Sequence, residues 1–166
     1  CLVGSEMCIR DSNGHGAALG FELTKIGRGE VEMTFPYKEE VVGNPITGVV
    51  HGGVIVSLLD TACGTAAITT LTRASVTPTM DLRLDYMHPA EPHQPIYVSA
   101  KVYRSTSNVI FCRGSAWQDD PENPIAHCVA TFMTVDTPSI SLGNIIRRRL
   151  NRLVRGDRAY EREADK

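Results

Sequence analysis

The sequence has no excess of either charge: 17 Lys and Arg stand against 19 Asp and Glu over 166 residues, a formal net charge of -2. That excludes a broad electrostatic surface for nucleic acid or anionic lipid and leaves only regional patches. No two cysteines are spaced as a metal knuckle or a redox dithiol. Cys1, Cys8, Cys63, Cys112 and Cys128 are odd in number and scattered, which points to a reducing, cytoplasmic setting with neither a disulfide framework nor a metal site. An apolar run of the roughly 20 residues that cross a bilayer is missing, because the longest candidate, Val49 to Ile68, is interrupted by His51, Asp60 and several Gly and Thr. The opening residues show no basic-then-apolar signal pattern, and 1–16 read as a leader outside the fold. No internal repeat or low-complexity tract appears.

What is present suits one globular domain over 17–136. Hydrophobic residues make up 42% and charged residues 22%, enough apolar material for a core. Ala17 to Lys25 and Glu30 to Tyr37 alternate loosely around Gly27-Arg28-Gly29 and predict a hairpin. From Gly52 to about Leu71 nearly every side of a helix would be apolar or small, and a helix apolar all round must be buried all round. Four strand-like segments follow: Val76 to Met87, Ile96 to Arg104, Val109 to Trp117 and Ala126 to Val135. In the first, Met80, Leu82, Leu84 and Tyr86 share one face and Thr79, Asp81, Arg83 and Asp85 the other, the alternation of a half-buried strand. Turn-forming stretches separate them, so the four are expected to form an antiparallel meander. The fold class is therefore α+β, a curved antiparallel β-sheet wrapped around one long central α-helix. In the tail, 137–166, Ile145, Ile146, Leu150, Leu153 and Val154 recur at helical spacing among arginines, which predicts a short basic amphipathic helix.

The chemistry concentrates where the long helix begins. Asp60 is an acid in an otherwise apolar helix, and no Lys or Arg lies between His51 and Thr72 to pair with it. A buried carboxylate is costly unless neutralised or paired, so Asp60 is a candidate catalytic group; the plainer reading has it satisfied by Thr61, Thr65 or a distant Arg. Gly52 and Gly53 stand at the first turn, where backbone N–H groups lack intrahelical acceptors and face the positive end of the helix dipole. Without side chains they admit a substrate carbonyl closely, which describes a potential oxyanion hole. Eight residues separate Gly52 from Asp60, about 12 Å along one helix, too far to act on the same carbonyl. Two such helices running antiparallel across a dimer axis would bring Gly52 of one chain to Asp60 of the other.

His51-Gly52-Gly53, with Leu58-Leu59-Asp60-Thr61-Ala62-Cys63-Gly64 and Thr79-Met80-Asp81-Leu82-Arg83-Leu84-Asp85-Tyr86-Met87-His88-Pro89-Ala90, resembles the hotdog-fold acyl-CoA thioesterases of the phenylacetate-pathway (PaaI-like) type and their human counterpart. The resemblance covers roughly Leu19 to Val135. It implies a hotdog fold, homodimers often paired into tetramers, and hydrolysis of acyl-CoA, with an aryl or short- to medium-chain acyl group, to free acid and CoA, with no metal and no cofactor beyond the CoA of the substrate. Position by position it implies Asp60 as the acid that activates water or attacks the thioester, and Gly52 as the N–H donor to its carbonyl. His51 would organise the loop, Asn44 would hold water or carbonyl, and Thr79 stands where some members place a helping serine. Gly53 falls beside the substrate. Arg104 and Asn108 occupy the turn associated with CoA.

Two alternatives share this architecture. A hotdog hydratase or dehydratase pairs an Asp with a catalytic His in a different arrangement, and the order His51 then Asp60 favours thioester hydrolysis. A non-catalytic acyl-CoA sensor or scaffold would use the same pocket without turnover. No nucleic-acid or membrane partner is expected. Cys63 qualifies as a nucleophile by residue type only, since a cysteine on an apolar helix is usually an inert small hydrophobe.

Overall fold

The structure, a computed structural model, describes residues 18–72 and 75–136. The expected leader and basic tail helix lie outside the described residues. Strands β1 (Glu22–Gly27) and β2 (Glu30–Phe35) form the expected hairpin, and Gly29 makes its turn at φ +77. The turn is docked on other elements: the Gly29 N–H donates to Thr69 Oγ1 at 2.7 Å, and its carbonyl accepts from Val102 N–H at 2.8 Å. Short strands β3 (Val42–Asn44) and β4 (Val49–Val50) pair ahead of the long helix α1 (Gly52–Thr69). After it come β5 (Ser75–Val76), β6 (Thr79–Tyr86), β7 (Ile96–Ser105), β8 (Val109–Trp117) and β9 (Ala126–Met133).

The main sheet has the order β1-β2-β7-β8-β9-β6, antiparallel throughout. The expected four-strand meander is thus corrected: β7, β8 and β9 form one, but β6 lies at the far edge, paired with β9. The reason is competition for an edge. β2 occupies the free side of β7, from Glu30↔Lys101 to Phe35↔Ile96, so β6 takes the remaining edge of β9 with Leu82↔Ala130 and Leu84↔Cys128 in register.

One face of the sheet holds the helix. Ile96, Val98, Ala100, Ile110, Cys112, Ala116, Ala126, Cys128, Ala130 and Phe132 alternate inward, and Val54, Ile55, Leu58, Leu59, Ala62, Cys63, Ala66 and Ala67 of α1 are buried against that face. Close approach needs a missing side chain at Gly114, whose Cβ would stand 2.9 Å from Cys128 Sγ and 3.0 Å from Leu59 Cδ2. By length and composition α1 is apolar enough to cross a membrane, contrary to the count of interrupting residues, but its apolar side is packed into the core.

Two burial expectations are corrected. The helix is not buried all round: Val56, Ser57, Asp60, Thr61, Gly64 and Thr65 are only half-buried, and Ile68 is 53% exposed. These positions recur at i, i+3 and i+4 and form one stripe that the chain's own sheet covers only in part. On β6 only Leu82 and Leu84 meet the core, while Met80 and Tyr86 are 56% and 52% exposed, because an edge strand has no neighbour beyond it.

Candidate active site

Three successive peptide groups at the start of α1 are held in place. His51 is the N-cap in extended conformation, and its N–H donates to Val41 O at 2.9 Å. The His51 carbonyl accepts from Val54 N–H at 2.9 Å, which fixes the peptide between His51 and Gly52. The next peptide is gripped at both ends: Gly53 N–H donates to His51 Nδ1 at 2.9 Å, and Tyr86 Oη donates to the Gly52 carbonyl at 2.9 Å. Only the Gly52 N–H is left without a partner among the described residues. A free amide at the N-terminus of an 18-residue helix, with its neighbours immobilised, is a hydrogen-bond donor open to an acceptor such as a carbonyl oxygen.

The loop that delivers His51 is also braced. Tyr37 Oη donates to Gly48 O at 3.0 Å, and Gly48 turns at φ +73. Gly43 lies so close to His51 that a Cβ there would stand 2.8 Å from the His51 Cα. Asn44 does not reach the helix acid; its Oδ1 accepts from Ile46 N–H at 3.0 Å, an Asx turn at the exposed tip of the β3–β4 loop.

Asp60 sits in the half-buried stripe of α1. Its Oδ1 accepts a hydrogen bond from Thr79 Oγ1 at 3.0 Å, and none of the ion pairs among the described residues includes it. Thr61 and Thr65 do not satisfy it, since their hydroxyls turn back to the Ser57 and Thr61 carbonyls at 2.7 Å each. The contact with Thr79 corrects the simple alternation of β6. A bulge between Thr79 and Asp81 places Thr79 opposite Phe132, whose side chain faces the core, so the hydroxyl turns toward α1 instead of joining Asp81, Arg83 and Asp85 on the outer face.

Arg104 and Asn108 are exposed at the β7–β8 hairpin end. That end lies near the C-terminus of α1, since Val102 and Thr70 both flank Gly29, so within one chain neither residue joins the Gly52 N–H. A cleft of about 360 Å³ opens beside the first turns of α1, between His51, Gly53, Val54 and Ser57 on one side and Leu19 and Glu40 to Val42 on the other. Among the described residues no group of three or more His, Cys, Asp or Glu is placed to hold a metal ion. Cys63 is fully buried and shares a contact of 3.6 Å with Cys128 Sγ, which, with burial, pushes its thiol above the ordinary range; it is not an exposed nucleophile. Tyr86 was legible from sequence only as a core-facing position. Partial burial raises its phenol above the ordinary range, which favours the protonated, hydrogen-bond-donating form.

The chain is similar in sequence and fold to known proteins. Residues 47–125 match the thioesterase superfamily. The chain is 31% identical over 129 residues to the medium/long-chain acyl-CoA thioesterase YigI of Salmonella typhimurium, covering 70% of this chain and 82% of that one. A crystal structure of a Pseudomonas aeruginosa protein is 48% identical, with a TM-score of 0.66, over 73% of this chain and 90% of that one. The PaaI protein from the phenylacetic acid degradation operon of Escherichia coli, 16% identical, has the same fold, with a TM-score of 0.65 over 73% of this chain and 83% of that one. The chain belongs to the thioesterase superfamily and is a hotdog-fold thioester hydrolase.

Proposed function

We propose that the protein hydrolyses acyl-CoA thioesters to free acid and CoA, and that each active site takes the Gly52 N–H from one subunit of a homodimer and Asp60 from the other. The carrying observation is the pairing on one helix of an unpartnered N–H at its start and a hydroxyl-held carboxylate about 12 Å further along. In the reaction the thioester oxygen gains charge as it is attacked and receives the Gly52 N–H. Asp60 acts either as base, taking a proton from the attacking water, or as nucleophile, forming an anhydride that water then opens. Collapse breaks the C–S bond, and the departing CoA thiolate takes up a proton. Thr79 keeps the carboxylate oriented through its hydrogen bond.

The acyl group is assigned to the cleft beside the first turns of α1, where Leu19, Val41, Val42 and Val54 supply apolar walls. YigI, a relative at 31% identity, is a medium/long-chain acyl-CoA thioesterase, and this favours an aliphatic chain of that class over an aryl group. Arg104 and Asn108, remote from Gly52 of their own chain, serve the CoA end of the site that a partner completes. Release of free thiol from acetyl-, hexanoyl-, dodecanoyl- and phenylacetyl-CoA tests the reading. Wild type should turn over hexanoyl- and dodecanoyl-CoA faster than acetyl- and phenylacetyl-CoA, and Asp60→Asn should be slower by two or more orders of magnitude, within the roughly 10²–10⁴ range of general acid–base contributions. Wild-type-like release by a folded Asp60→Asn variant would reject the role of Asp60, and binding of acyl-CoA with no release by wild type would reject hydrolysis in favour of a sensor or scaffold.

A further inference from the structure

We infer that Tyr86 is a positioning residue for the oxyanion donor, acting on Gly52 N–H through the adjoining peptide; this rests on the function proposed above. Its hydroxyl donates to Gly52 O at 2.9 Å from a neighbouring strand. The bond is not needed to complete the helix, since a first-turn carbonyl is already the acceptor of its own i+4 amide. It supplies a second donor to an oxygen that has two lone pairs. The approach is close: a Cβ on Gly52 would stand 3.1 Å from the Tyr86 hydroxyl and 3.5 Å from Cζ.

Its effect follows from the chain of peptides around Gly52. The peptide between Gly52 and Gly53 has its N–H held by His51 Nδ1 and its C=O held by Tyr86. With that plane fixed, ψ of Gly52 is fixed. The plane before it is anchored by the hydrogen bond from Val54 N–H to His51 O, which fixes the direction of the free Gly52 N–H from the other side. A glycine left unrestrained samples more backbone conformations than any other residue, so a donor on glycine gains most from external restraint. Oxyanion donors repay such restraint mainly in the transition state, where the charge is greatest. β6 therefore serves both halves of the machinery: Thr79 near one end orients Asp60, and Tyr86 at the other restrains Gly52.

The test is Tyr86→Phe in the full chain, which keeps the ring and removes the hydroxyl. Thiol release from dodecanoyl-CoA should show kcat lower by about fivefold to tenfold with KM within about twofold, the split of an interaction made in the transition state. A ketone analogue of dodecanoyl-CoA, with CH2 in place of sulfur, supplies a readout separate from turnover. Its carbonyl stretch should move to lower frequency on wild type, less on Tyr86→Phe and least on Gly52→Val, while the thermal midpoint of Tyr86→Phe stays at the wild-type value. Wild-type kcat in Tyr86→Phe, or a lower kcat with an unchanged carbonyl shift and a lowered thermal midpoint, overturns the inference. If wild type neither releases thiol nor shifts the analogue's carbonyl, the proposed function falls with it; if wild type does both and Tyr86→Phe matches it, the positioning role alone falls.

Discussion

Under the proposed function half of each site lies on either subunit, so two inactive chains should be able to rescue one another. Asp60→Ala removes the acid. Gly52→Val puts a side chain where a Cβ alone would already stand 3.1 Å from the Tyr86 hydroxyl, and fills the approach to the N–H. Each homodimer should then retain about 1% of wild-type activity or less, since each lacks one element in both sites. In the heterodimer one site inherits both defects, and the other combines an intact Gly52 with an intact Asp60. The purified heterodimer should therefore run at about half the wild-type rate, and an unfractionated random mixture at about a quarter, provided that the sites act independently. Co-expression with two affinity tags isolates the mixed species, and thiol release from one acyl-CoA compares the two homodimers, the heterodimer and the unfractionated mixture with wild type. The eight-residue separation of Gly52 and Asp60 is what makes the outcome sharp, because about 12 Å of helix rise cannot be spanned by side-chain motion. A purified heterodimer as inactive as its parents would show that the site lies within one chain.

Thr79→Ala should lower kcat by no more than about tenfold, as expected for one hydrogen bond worth about 1 kcal/mol to a carboxylate with solvent access. In an Asp60→Asn background the same change should cost less than about twofold, and equal losses in the two backgrounds would show that the 3.0 Å contact has no catalytic consequence. Gly114→Ala should destabilise the protein by about 1–3 kcal/mol, because the new methyl meets Cys128 Sγ at 2.9 Å, Leu59 Cδ2 at 3.0 Å and Cys63 Sγ at 3.2 Å. Its thermal midpoint should fall by roughly 2 °C or more, and an unchanged midpoint would mean that helix and sheet can move apart freely. Native protein treated with iodoacetamide at pH 8 should remain unmodified at Cys63 and Cys112. Burial pushes the Cys112 thiol up to about 12, and the contact with Cys128 together with burial raises Cys63, so both stay protonated at that pH. Peptide mapping showing either alkylated as fast as a free thiol would contradict the core packing.

The parts of the fold legible in the sequence were those fixed by local pattern. β7, β8 and β9 alternate cleanly because one face meets α1 and the other meets solvent, and the apolar run from Gly52 had only a helix of the core as its outlet. The position of β6 was not legible, because its choice of β9 over β7 depends on β2 having taken the other edge, and alternation carries no information about partners. The bulge beside Met80 was equally hidden. Without it Thr79 would point away from the helix, so the contact with Asp60 belongs to the backbone register and not to residue spacing. Tyr86 shows the same limit in another form: its apolar-face position was readable, but the reach of its hydroxyl to Gly52 O required the crossing of strand and helix to be known.

The face that one chain leaves uncovered is also the face that carries the acid. Gly53, Ser57, Asp60, Thr61, Gly64 and Ile68 follow helical spacing along α1, and each is half-buried or exposed in the single chain. A carboxylate there, held by Thr79 but unpaired with any cation among the described residues, would be poorly placed for chemistry if that face stayed in open water, where electrostatic interactions with a developing oxyanion are weak. A second copy laid antiparallel over the same stripe would exclude that water, cover Ile68, and set its own Gly52 N–H against Asp60. The small side chains at Gly53 and Ser57 would let the two helices approach closely enough to do so. On this reasoning a substitution such as Gly64→Leu, about three turns along α1 from Gly52 of its own chain and outside the acyl cleft, should weaken association and activity together, and activity that survives in a protein shown to be monomeric by sedimentation would refute the shared site.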